Sequence, residues 1–187
     1  MTIHDLTRWE PRHTEKKLGA PRSSVSALAP SAVHAVALDL ACGQGRHTRA
    51  LLAAGYAVIA LDVSRNALEH LKSFGTGADA RLLCVQADVD NWPLRQESFD
   101  AVVIIDFLDR RLYATLKAAL RPGGQLLVDT FLDAGHPNAE GPSNADNILT
   151  PGELARAFHD FEILEDDEQD GPTARAIFRA RKRAQPR

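Results

Sequence analysis

Apolar residues along this chain come in short blocks of two alternating kinds. Runs at 35–42, 57–62, 81–86, 99–105 and 125–131 read as strands, and the 57–62 (AVIALD) and 99–105 (FDAVVII) runs are apolar enough to be buried. Between them the apolar positions take helical spacing. Leu51 and Leu52 face inward over 46–54; Ala67, Leu68, Leu71 and Phe74 form a stripe after Ser64; Leu112, Leu116 and Leu120 form one over 110–120. The punctuation agrees: Gly55 suits a helix C-cap, Ser64 an N-cap, Gly75 a stop and Pro122-Gly123-Gly124 a turn. After residue 131 the rhythm changes. Residues 133–150 are loop-rich, 151–159 predict a short helix with proline at its start, and 161–164 and 174–180 predict two strands around an acidic turn at 165–171.

Strands alternating with helices and ending in a strand pair predict an α/β sandwich around a mostly parallel sheet. A length of 187 residues, 44% of them hydrophobic, is enough for one core. The expected organisation is a polar, proline-broken N-terminal extension or lid at 1–30, one domain at 31–183 and a tail at 184–187. A net charge of −3 does not mark a nucleic-acid or membrane-surface binder. No apolar run reaches the ~18 residues of a membrane span, and the N-terminus lacks an apolar leader, so a cytoplasmic protein is expected. Cys42 and Cys84 have neither disulfide-framework nor zinc-site spacing and read as reduced core thiols, and no metal site is expected.

Candidate chemistry concentrates at one turn. Residues 38–46 read LDLACGQGR, in which Gly43 and Gly45 allow a sharp turn and a close ligand approach. The helix from Arg46 aims unpaired N–H groups at the same place. Asp62 closes the next strand seventeen residues after Gly45, near the interval at which such folds place a ribose-binding carboxylate. Together these features describe a pocket for an adenosine-containing ligand.

With the segments ALDVS at 60–64, Gln86-Ala87-Asp88, FDAVV at 99–103, LRPGGQLLVDTF at 120–131 and LTPGELARAF at 149–158, this turn resembles the class I S-adenosylmethionine-dependent methyltransferases. Within them it is similar to the small tellurite-resistance-type domains, over roughly 35–180. The resemblance implies a Rossmann-like three-layer sandwich whose seven-stranded sheet has the order 3-2-1-4-5-7-6, with the last strand antiparallel. It implies S-adenosyl-L-methionine as cofactor and methyl transfer to a small molecule, with no nucleic-acid or membrane partner. Asp39 would lie beneath the methionine portion and order the loop. The stretch Ala41, Cys42, Gly43, Gly45 and Arg46 would pass against the methionine and ribose. Asp62 would accept from both ribose hydroxyls, Val63 would pack on the adenine, Asp88 would accept from its amino group and Val89 would donate its N–H to a ring nitrogen. Asp106 and Phe107 would border the methyl group. The family motif has glycine where Ala41 stands, and alanine there implies ordinary backbone torsions. Around the expected mouth stand Asp106, Asp109, Arg110, Arg111 and His136; Asp106 and Arg111 are the catalytic candidates, with the arginines suited to an anionic substrate.

Two other readings stay open: an NAD-dependent oxidoreductase and a non-catalytic adenosine-ligand binder. Tyr113 and Lys117 form the YxxxK pair of short-chain dehydrogenases. They come too early after the glycine turn, and Thr48 stands where a dinucleotide fingerprint has glycine or alanine. Tyr113 therefore reads as partly buried and Lys117 as a solvated charge. The basic C-terminal stretch (Arg179, Arg181, Lys182, Arg183, Arg187) reads as a strand edge and a frayed end. Oligomeric state is not legible.

Overall fold

The computed structural model describes residues 18–30, 32–73, 80–89, 93–133, 135, 141–142 and 144–184. Among them, strands and helices alternate as β1 (Val36–Leu40), α1 (Arg46–Ala54), β2 (Ala57–Asp62), α2 (Arg65–Ser73), β3 (Leu82–Gln86), β4 (Phe99–Ile105), α3 (Tyr113–Ala119), β5 (Leu120–Phe131), α4 (Glu153–Ala157), β6 (Glu162–Gln169) and β7 (Arg175–Arg181). The strands form one seven-stranded sheet in the order β3-β2-β1-β4-β5-β7-β6, with β7 antiparallel to β5 and β6. This is the expected order. Chain contacts group the structure into two compact units, before and after the Leu94–Arg95 junction.

In the first unit, β1 and β3 flank β2 in parallel. Asp39 pairs with Ala60 and Asp62 with Gln86, so three polar side chains come to the carboxyl ends of apolar strands. The helices stop and start as their punctuation dictates. Gly55 takes a φ of 106° and its N–H closes onto Leu51 and Leu52 carbonyls, while Ser64 Oγ accepts the Ala67 N–H at 3.1 Å. Residues 18–30 bury Val25 and Leu28 in the core through a short 3-10 turn, Ser23–Ala27. That much of the expected extension is part of the fold. The rest of the expected lid, 1–17, and the expected helix stop at Phe74 and Gly75 lie outside the described residues.

In the second unit, β4 and β5 run parallel, but their register jumps between Phe99 and Ala101. Strand pairing therefore already begins at Leu120, and the Pro122-Gly123-Gly124 turn lies inside β5 as an irregularity. Gly124 is required there, because a Cβ would sit 2.9 Å from the Arg121 carbonyl oxygen and 3.0 Å from that of Phe99. Phe158 anchors the interior, with the Tyr113, Phe161 and Phe178 rings at centroid distances of 5.4, 5.6 and 6.0 Å. The helix at 151–159 starts at Glu153 rather than at the proline, after Gly152 at a φ of 67°.

The acidic turn expected at 165–171 is instead mostly strand. β6 runs to Gln169, and its carboxylates face arginines of β7: Glu165 opposite Arg179 and Glu162 near Arg181, at 3.3 and 3.0 Å. Cross-strand charge pairing offsets the poor strand propensity of this run, and a charged strand at the end of the sheet resists edge-to-edge association. The basic stretch is correspondingly engaged. Besides Arg179 and Arg181, Lys182 Nζ donates to the Leu120 carbonyl at 2.8 Å and Arg183 to that of Phe161 at 3.4 Å.

Candidate functional site

The turn after β1 is held by two aspartates. Gly43 donates its backbone N–H to Asp62 Oδ2 at 2.8 Å, and Ser64 donates its own to Oδ1 at 2.8 Å. Asp62 thus ties the glycine turn to the start of α2. Each carboxylate oxygen accepts more than one hydrogen bond, so this anchoring is compatible with ligand hydroxyls. Asp39 is buried one strand away and its Oδ2 accepts the Thr48 hydroxyl at 2.6 Å. Burial pushes the Asp39 carboxyl up to about 7, the Asp62 charge adds to the rise, and the Thr48 hydroxyl and Arg46 oppose it.

The backbone at this turn is unusual. Gly43 and Gly45 have φ values of 54° and 80°, and Ala41 has 56°. The ordinary torsions expected of Ala41 are therefore not what the chain adopts. Its position demands a left-handed residue, which an L side chain occupies at a cost of about 1–2 kcal/mol. Ala41→Gly relieves that cost but loosens the unfolded chain by about 0.4–1 kcal/mol. We expect a net gain of about 0.5 kcal/mol, read as a raised urea midpoint with an unchanged slope; a lowered midpoint would contradict the torsional account.

Cys42 packs with Ala60, Leu68 and Leu71 beneath the turn. Burial, followed by the charges of Asp39 and Asp62, pushes its thiol well up, which leaves it a filler and not a nucleophile. The end of β3 is stitched to that of β2: Ala87 donates its N–H to the Asp62 carbonyl at 3.1 Å, and Gln86 Nε2 to the Val63 carbonyl at 3.2 Å. Half-buried Asp88 follows directly, with Val63 and Val89 both buried. Within the first unit the structure therefore gathers Asp39, the Ala41–Arg46 turn, Asp62, Val63, Asp88 and Val89 around the carboxyl ends of three parallel strands, where open α/β sheets take their ligands.

In the second unit, Asp106 follows β4 at a φ of 56° with its side chain 37% exposed, and half-buried Phe107 comes next. Arg175 reaches Asp106 Oδ1 at 2.6 Å and holds the buried Asp129 through Nε and Nη2 at 2.8 and 2.7 Å. Sequence reading missed Arg175 and Asp129. The available signal was Asp129 itself, an acid inside the apolar run LLVDT that needs a buried partner.

Arg111 folds back on Asp109, donating from Nε and Nη2 at 3.0 and 2.6 Å, and stays exposed. Arg110 instead clasps Glu153 with Nε and Nη2, at 2.9 and 2.8 Å, and also donates to the Asp146 and Ile148 carbonyls. Burial disfavours the Glu153 charge, but Arg110, the Thr150 N–H and the Tyr113 hydroxyl outweigh it and hold this carboxyl at about 2. Tyr113 donates to Glu153 at 2.7 Å; burial and that carboxylate push its phenol well up. Lys117 is no solvated charge: it pairs with Asp160 at 2.5 Å and lies over Phe158. Both members of the YxxxK pair are thus committed to packing. His136 lies outside the described residues.

Residues 37–124 match the family described as Methyltransferase domain. Among curated proteins, the chain is 36% identical over 114 residues to a demethylmenaquinone methyltransferase of Clavibacter sepedonicus, covering 58% of this chain and 46% of that one. It is 33% identical over 177 residues to a ribosomal RNA small subunit methyltransferase H of Mesorhizobium japonicum, covering 94% and 48%. The chain thus spans about half the length of these curated relatives. Among solved structures, TehB from Haemophilus influenzae superposes with a TM-score of 0.68 at 24% identity, covering 80% of this chain and 58% of that one.

Proposed function

We propose that the chain is a class I S-adenosylmethionine-dependent methyltransferase that transfers a methyl group from S-adenosylmethionine to a small-molecule nucleophile; the methyltransferase-domain match over residues 37–124 supports this reading. The observation that carries the cofactor reading is the use of the Gly43 N–H. A dinucleotide fold aims such turn donors at a pyrophosphate. Here that donor is given to Asp62, with a second carboxylate, Asp39, buried beside the turn. Two carboxylates repel a pyrophosphate and suit a ligand that bears an ammonium, a sulfonium and two ribose hydroxyls.

When bound, the cofactor supplies an electrophilic methyl group on a sulfonium leaving group. The protein's task is then mainly to position and to exclude water. Asp39 would lie under the methionine end, Asp62 would accept from the ribose hydroxyls, Val63 would pack on the adenine, Asp88 would accept from its amino group and Val89 would donate its N–H to a ring nitrogen. By the same family resemblance we assign Asp106 and Phe107 to the border of the methyl group. We assign Arg111, exposed on Asp109, to the orientation of an anionic substrate.

The small-molecule reading is supported by the basic side chains of the β7 region, which are occupied by intramolecular carboxylates and carbonyls instead of presenting a phosphate-binding stripe. The relative named for ribosomal RNA favours a second reading, an RNA substrate. A labelled-methyl assay against a metabolite panel and against total RNA separates the two. Among the described residues no helix is long and apolar enough to cross a membrane. We propose a cytoplasmic setting, in keeping with the free thiols of Cys42 and Cys84.

Calorimetric titration with S-adenosylmethionine, S-adenosylhomocysteine and NADH tests the cofactor. Saturable binding of the two sulfur nucleosides is expected, and binding of NADH alone overturns the proposal. Asp62→Ala should weaken S-adenosylmethionine binding by about 1–3 kcal/mol through lost charge-assisted hydrogen bonds. An unchanged affinity removes Asp62 from the site.

A further inference from the structure

Resting on this cofactor reading, we propose that Thr48 is a positioning residue: its buried hydroxyl orients the Asp39 carboxylate and keeps it ionised for the cationic methionine end of S-adenosylmethionine. Thr48 is fully buried on α1, and its hydroxyl meets Asp39 Oδ2 at 2.6 Å. Its backbone N–H also supports the Asp39 charge. That N–H belongs to the first turn of α1, whose donors have no partner within the helix. Gly45, at the N-cap position, has no side chain to satisfy them. Asp39 therefore caps α1 from the neighbouring strand, and Thr48 supplies both donors. A residue that argues against a dinucleotide fingerprint at the level of sequence thereby acquires a task of its own.

The surroundings make that hydroxyl matter. The charged and titratable groups acting on Asp39 are Asp62 at the end of β2, which disfavours its ionisation, and Arg46 at the start of α1, which favours it. Cys42 in the turn stays a neutral thiol. Burial already places the Asp39 carboxyl at about 7, so small changes in its hydrogen bonds decide its charge at neutral pH. The sign follows from linkage. Between about pH 4 and pH 7 the folded chain holds a proton that the unfolded chain has released, so stability falls as pH rises through that window. Above it, Asp39 is charged and strained by burial, and a cationic ligand relieves that strain. Without the Thr48 hydroxyl the neutral acid persists to higher pH.

The test measures S-adenosylmethionine affinity by calorimetry across about pH 6–9 for wild type, Thr48→Val, Thr48→Ala, Thr48→Ser and Asp39→Asn. Wild-type affinity is expected to rise with pH through the Asp39 titration. Thr48→Val should bind about tenfold more weakly near neutrality, with its midpoint moved up by about one pH unit. Thr48→Ser should restore the wild-type profile, and Asp39→Asn should flatten it. Carbon-detected NMR of the Asp39 carboxyl in the ligand-free protein should show the same upward move. Thr48→Ala carries both comparisons if the valine variant does not fold. Superimposable profiles for wild type and the hydroxyl-less variants overturn the role of Thr48, as does a serine variant as impaired as the alanine one. Failure of the wild type to bind S-adenosylmethionine at any pH overturns the cofactor reading itself.

Discussion

Arg175→Met is expected to cost the fold about 3–5 kcal/mol, the range for stripping a buried ion pair of one partner. Arg175 and Asp129 are 6% and 2% exposed. Arg175 gives Asp129 two hydrogen bonds to Oδ1 and one to its carbonyl, at 2.8, 2.7 and 2.9 Å, and stacks 4.8 Å from the Phe131 ring centroid. A methionine keeps the stem's packing and removes every one of those donors. It leaves a buried carboxylate near the end of β5 without the arginine that neutralises it. The same loss removes the Arg175 contact from Asp106, whose left-handed backbone also donates its N–H to the Asp129 carbonyl at 3.0 Å. Chemical denaturation of the variant should show the loss in its midpoint. The double variant Arg175→Met/Asp129→Leu should recover most of it, because the burial penalty disappears with the charge. If the double variant were as unstable as the single one, the arginine's packing, and not the charge it neutralises, would carry the stability.

The architecture was legible because its signals are local. The β2 and β4 runs are apolar enough to require burial on both faces, which points to a parallel sheet, and Gly55 and Ser64 mark helix ends by chemistry that acts within one turn of chain. The residues of the first-unit candidate site could be placed for a similar reason: a glycine turn and an acid one strand later are a short-range pattern. What escaped depends on partners far along the chain. Arg175 is 46 residues from Asp129 and 69 from Asp106, and nothing near it announces either contact. The acidic run of β6 reads as a turn until arginines of β7 lie opposite it. Ala41 misled because residue type is a weak guide to torsion where the surrounding turn dictates it. Asp62 was expected to accept from ribose hydroxyls, and in the structure it accepts the backbone N–H groups of Gly43 and Ser64. On the proposed cofactor reading, loop order and S-adenosylmethionine affinity should therefore respond together to its replacement.

Gly45→Ala is expected to cost about 2–5 kcal/mol and to weaken cofactor binding with it. Two separate penalties meet at this residue. At a φ of 80° an L side chain incurs about 1–2 kcal/mol of torsional strain. A Cβ there would also stand 2.2 Å from Leu71 Cδ1, 2.9 Å from its Cγ and 3.0 Å from its Cδ2. Leu71 is fully buried against Cys42, Ala60 and Leu68, so it has no room to rotate away, and overpacking of this kind costs about 1–3 kcal/mol. Gly123 separates the two terms: it has a φ of 83° but open space around its Cα, so Gly123→Ala should show the torsional cost alone. A second separation comes from Leu71→Ala, which opens the space that the new methyl group needs. In the double variant the destabilisation should fall short of the sum of the singles by at least about 1 kcal/mol. Strict additivity would mean that Leu71 does not press on the turn, and the close fit of α2 against the glycine loop would then not be what shapes the site.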